Sequence, residues 1–126
     1  MKTMYAIGVL ALALASTACD PEFGEVEIFT LDGSEGSRAT SRSFEVPAGG
    51  VVVFEAIPRS AGASDYNGLE RFELRTTSLD VAEVRRAVLR DTWVINGVRP
   101  GSAVIQVRIN GETQTTIPVE VLEVAQ

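Results

Sequence analysis

From Gly101 to Val121 apolar side chains return at every second position, and that period restricts the chain to pleated structure. Ala103, Ile105, Val107 and Ile109 share one parity, while Gln106 and Arg108 hold the other. Past Asn110-Gly111, the residues Thr113, Thr115, Ile117, Val119 and Val121 continue the inward parity. A helix would spread such a set around its circumference, whereas a strand places alternate residues on one face. Asn-Gly best tolerates the two positive φ angles of a type I′ turn, so the two runs are predicted to form an antiparallel hairpin.

Shorter runs of the same kind come earlier. Glu22 to Thr30, with Val26, Ile28 and Thr30 on one parity, reads as a first edge strand. Leu31 to Arg42 has no apolar period and reads as a loop, Ser43 to Val46 resumes extended structure, and Pro47-Ala48-Gly49-Gly50 reads as a turn. In Val51 to Ile57 the residues Val52, Phe54 and Ala56 share a face, and Pro58 is expected to end the strand. Arg59 to Gly68 is a polar loop. Leu69 to Thr76 then alternates, with Phe72 and Leu74 inside and Arg71, Glu73 and Arg75 outside, as in a sheet with one wet face. Leu79 to Arg90 stays open between strand and helix, because Val81, Val84, Val88 and Leu89 also fit a helical spacing. Trp93-Val94-Ile95 follows as a strand and Asn96-Gly97 as a turn. About seven short strands separated by frequent turns predict an all-β, immunoglobulin-like antiparallel β-sandwich.

The chain has no histidine and one cysteine, Cys19. Ser-His-Asp and Cys-His nucleophile systems are excluded, as are the usual Cys/His zinc sites and any internal disulfide. Ten arginines stand against 17 carboxylates once Lys2, the single lysine, is set aside, and the arginines are scattered along the chain. Nucleic acid is therefore not an expected partner. No catalytic residue, metal site or cofactor is assigned, and the chain is expected not to be an enzyme. Asp65-Tyr66-Asn67-Gly68 with Glu70 is too short and too poor in oxygen ligands for a calcium loop. Asp65, Tyr66 and Asn67 are instead the candidate interaction loop, with Tyr66 an exposed aromatic at its tip. Trp93 is assigned to the core.

Lys2 is followed by the apolar run Ala6 to Ala15 and by the small residues Ser16-Thr17-Ala18, the order of an export signal over residues 1–18. The apolar run is too short for a permanent spanning helix. Residues 19–24 then read as a tether and residues 25–126 as one domain. Ser16-Thr17-Ala18-Cys19 resembles a bacterial lipoprotein lipobox, which implies that Cys19 is lipidated, becomes the first mature residue and has the membrane as its partner. Ser16 stands where that family carries an aliphatic residue, and Ser16-x-Ala18 also suits the ordinary signal peptidase, which would release a periplasmic or secreted protein. Both routes place the chain in or beyond the cell envelope. Asp20 does not decide between inner and outer membrane.

Val81-Ala82-Glu83-Val84, then Gly97-Val98-Arg99-Pro100-Gly101-Ser102-Ala103-Val104-Ile105 and a terminal Val119-Glu120-Val121, resemble the bacterial immunoglobulin-like domains of the intimin and invasin kind. That resemblance implies a stalk, spacer or adhesive module acting on a protein or glycan. Phe72 ahead of Thr76-Thr77-Ser78 replaces the tryptophan frequent in that family, and Asp80 is displaced from its usual place. Small immunoglobulin-like inhibitors of papain-like proteases, the chagasin type, offer an alternative. Their three loops would correspond to Arg59 to Gly68, the neighbourhood of Asp91, and Asn110-Gly111, although their N-P-T-T-G and R-P-W motifs are absent here.

Overall fold

The computed structural model describes residues 22–62, 66 and 71–124. The export signal and Cys19 lie outside the described residues, as do Asp65, Asn67, Gly68 and Glu70. The described residues form nine strands and no helix: β1 (Phe23–Gly33), β2 (Arg38–Ala39), β3 (Phe44–Pro47), β4 (Val51–Ser60), β5 (Phe72–Thr76), β6 (Ala82–Arg86), β7 (Thr92–Gly97), β8 (Gly101–Ile109) and β9 (Glu112–Leu122). One sheet has the order β1-β4-β7-β6 and the other β2-β3-β9-β8-β5, which is the strand arrangement of an immunoglobulin-like sandwich.

Alternation builds the interior. Val52, Phe54 and Ala56 of β4 meet Trp93 and Ile95 of β7 within the first sheet, and Ile105 and Val107 of β8 with Ile117 and Val119 of β9 face them from the second. Two ring pairs bridge the layers. Phe44 lies 4.9 Å from Phe54, and Phe72 meets Trp93 edge-on at 6.1 Å. These are offset geometries that aromatic quadrupoles favour.

The hairpin predicted at Asn110-Gly111 is present, with φ of 54° and 83° at its two central residues. It contains one irregularity. Val107 faces Thr115 but Arg108 faces Thr113, so Gln114 is an extra residue in β9, a bulge that flips the parity of the residues preceding it in the chain. Thr113 is therefore exposed and outward, correcting its expected inward place; Thr115, past the bulge, keeps the inward parity and is half-buried.

Several other expectations change. Pro58 does not end its strand: β4 runs on to Ser60. The Ala56 N–H points toward β7 and donates to the Asp91 carbonyl, and Pro58, of the same parity, would aim its missing N–H past the end of β7. The polar stretch Leu31 to Arg42 is not all loop. β1 continues to Gly33 against Val52, and β2 is held to β1 where Thr30 Oγ1 donates to the Ala39 carbonyl and accepts from the Ala39 N–H. Leu79 to Arg90 contains β6 and no helix. The sandwich is not wholly antiparallel, because β3 runs parallel to β9 with Phe44 beside Val119.

Asn96-Gly97 is not a turn. Gly97 ends β7, and its backbone is clasped by the 48–50 turn: the Gly49 N–H donates to the Gly97 carbonyl at 2.8 Å and the Gly97 N–H to the Gly50 carbonyl at 2.9 Å. A methyl group at Gly97 would fall 2.4 Å from the Pro47 carbonyl oxygen, so glycine is required there by closeness rather than by φ.

Candidate functional site

Three connections meet at one end of the sandwich: β4 to β5, β6 to β7, and the β8-β9 turn. The Asn110 N–H donates to the Arg71 carbonyl and the Arg71 N–H to Asn110 Oδ1, which ties the last turn to the start of β5. Between these connections lies a groove of about 530 Å³. Its floor is Trp93 with Phe72, its walls include Ile57, Pro58 and Ile109, and Tyr66 lines one side.

Arg86 orders the floor. Its guanidinium lies 4.7 Å from the centre of the Trp93 ring, and Nη2 donates to the Phe72 carbonyl at 2.5 Å. The cation sits on the negative face of the indole while its N–H fixes the neighbouring strand. Arg59 lines the groove from β4 and is paired through Nε with Glu27 Oε1 of β1 at 3.0 Å. Arg90 lines it from the β6-β7 loop, 3.8 Å from the Asp91 carboxylate. The scattered arginines of the sequence are thus partly gathered: 59, 86 and 90 come to one groove because strand order brings β4, β6 and the β6-β7 loop together.

The β6-β7 loop is tightly made. The Ala87 N–H donates to the Thr92 carbonyl at 2.9 Å, Thr92 Oγ1 to the Arg90 carbonyl at 3.0 Å, and Asp91 takes a φ of 57°. A short aspartate side chain tolerates that left-handed conformation better than most residues. The closure pushes Val88 and Leu89 outward, 105% and 70% exposed.

Of the expected interaction loop, Tyr66 alone is described, and it is half-buried against the groove rather than standing free at a tip. Trp93 is in the core as expected, 4% exposed, yet it also floors the groove. Arg86 and Arg90 were not singled out by the sequence, and Val88 and Leu89 entered only through a helical spacing. An apolar pair between arginines within that open stretch was the available signal. Glu73 is on the outer sheet face, 3.8 Å from Arg108 Nε. Among the described residues no three His, Cys, Asp or Glu side chains gather as a metal site. The groove end thus brings guanidinium, aromatic and aliphatic surface together.

No family model matches the chain, and no curated protein matches it. Among solved structures it is similar to surface layer protein SbsC, domains 1–6, at a TM-score of 0.58 and 16% identity over 85% of this chain and 14% of that one. A second structure, domains 4 and 5 of the S-layer protein SbsC, gives a TM-score of 0.52 and 16% identity over 76% of this chain and 54% of that one. The chain thus spans only part of each of these proteins. At that identity the likeness is one of fold: this chain is a β-sandwich built like domains of surface layer protein SbsC.

Proposed function

We propose that this chain is a non-catalytic cell-envelope module, anchored to a membrane through lipidated Cys19, that presents an immunoglobulin-like sandwich for structural or protein- or glycan-binding work. The observation that carries the reading is the short interval between cysteine and domain: β1 begins at Phe23, four positions after the single cysteine of the chain. The fold likeness to domains of a surface layer protein supports the envelope setting. The lack of histidine supports a binding rather than a catalytic role. Several acyl chains on Cys19 would hold the protein firmly, each buried methylene contributing about 0.8 kcal/mol.

Mass spectrometry of the mature amino terminus, with fractionation of the parent and Cys19→Ser chains, tests the anchor. An acylated Cys19, a membrane-bound parent and a soluble variant are expected. An unmodified thiol in a soluble parent refutes it. The convergence of three loops at one end also favours a loop-borne protease inhibitor as a second reading, and inhibition of papain by the purified protein would put that reading first.

A further inference from the structure

We infer that the groove end of the sandwich lies against the lipid bilayer, with Val88 and Leu89 dipping into its interfacial layer; this rests on the anchoring of Cys19 proposed above. Apolar exposure does not by itself choose an end, since Leu79 and Val98 at the opposite end are 69% and 50% exposed. The entry point of the chain chooses. β1 starts at the groove end: the Ala61 N–H donates to the Glu22 carbonyl at 2.8 Å, Phe23 faces Ser60, and Glu27 pairs with Arg59.

Cys19 precedes Glu22 by three residues, which span at most about 11 Å when fully extended. The ten residues of β4 reach about 33 Å, so Leu79 and Val98 stand some 30 Å farther out. A gap of about 11 Å is no wider than a single helix with its side chains, so it leaves no room for a folded partner between groove end and membrane. The surface facing the groove end is therefore the phospholipid layer itself.

The loop suits that surface. Its backbone is already fixed by the Ala87, Thr92 and Asp91 contacts, so little further ordering is needed when Val88 and Leu89 leave water. Arg86 and Arg90 flank the pair, and Arg86 is committed to Trp93. Arg90, at the groove rim with a 93% exposed side chain, has a stem long enough to keep its guanidinium at phosphate depth while the apolar neighbours go deeper.

The test uses the full chain, isolated from membranes and placed in phospholipid vesicles that include lipids with brominated acyl chains. Val88→Cys and Leu79→Cys chains each carry an environment-sensitive maleimide label. Both positions are exposed, so the substitutions leave the core intact. The unsubstituted chain reports the anchor, because an acylated Cys19 takes no maleimide. Quenching at 88 of about twofold or more, with none at 79, is the expected result for a side chain at interfacial depth. If the unsubstituted chain takes no label and position 88 is quenched no more than position 79, the membrane contact is overturned while the anchor stands. If the unsubstituted chain is labelled, the anchor fails. The Val88→Cys chain with Cys19→Ser is then added to the vesicles, where quenching at 88 upholds the contact and its absence overturns it.

Discussion

Replacing Gly97 by alanine should be among the most damaging single-methyl additions to this domain. The new methyl would meet the Pro47 carbonyl oxygen at 2.4 Å and Val121 Cγ1 at 3.2 Å. Carbon-to-oxygen contacts settle near 3.3 Å, so the backbone of β3 or β7 must give way by about 1 Å. The obstacle is a main-chain carbonyl, which cannot swing aside like a flexible side chain. Overpacking of this kind costs about 1–3 kcal/mol. The movement also strains the hydrogen bonds from Gly49 to Gly97 and from Gly97 to Gly50, worth about 1 kcal/mol each. A loss of about 2–4 kcal/mol is expected, a large share of the roughly 5–15 kcal/mol by which domains are stable. At about 4–8 °C per kcal/mol for a domain of this size, melting should fall by about 8–30 °C. Trp93 is the single tryptophan and is buried, so its emission reports global unfolding. Gly62→Ala is the matched control, because a methyl there has no neighbour within 4 Å, and it should stay within about 0.5 kcal/mol of the parent. A Gly97→Ala domain that melts within about 3 °C of the parent would refute the close approach of β3 to β7.

Asn110→Ala should lower stability by about 1–2 kcal/mol, because it forces alanine to a φ of 54° and removes the acceptor of the Arg71 N–H, and Asn110→Gly should recover part of that loss in the same melt. Arg86→Ala should cost about 0.5–1 kcal/mol from the lost cation–π contact and open the indole of Trp93 to acrylamide, so unchanged quenching of its emission would count against the stacked arrangement.

Where inward parity and turn chemistry agreed, the fold was legible. Ala103, Ile105, Val107 and Ile109 are buried as the alternation requires, and Asn110-Gly111 turns the chain where two left-handed residues are needed. The misreadings share a cause: the deciding partner was remote or made of backbone. β6 looked ambiguous alone because its strand identity comes from pairing with β7, Val84 opposite Ile95. Asp32 and Gly33 extend β1 through main-chain pairing with β4, which leaves no apolar mark. Gly97 carries the same dipeptide as a turn, yet serves a contact with a carbonyl fifty positions earlier. The groove was least legible, since Arg59 and Arg86 come to line one groove only through a strand order that periodicity does not encode.

The side-by-side placement of β3 and β9 has a consequence for how such a chain matures. Ribosomes deliver the amino-terminal portion first, so Phe44 must wait until Val119 has emerged before that edge can zip shut. Non-local closure of this sort is slow, taking roughly milliseconds to seconds. During synthesis this edge of the polypeptide accordingly stays unzipped until Val119 to Leu122 have emerged, and an unclosed sandwich is what passage through a narrow translocation channel requires.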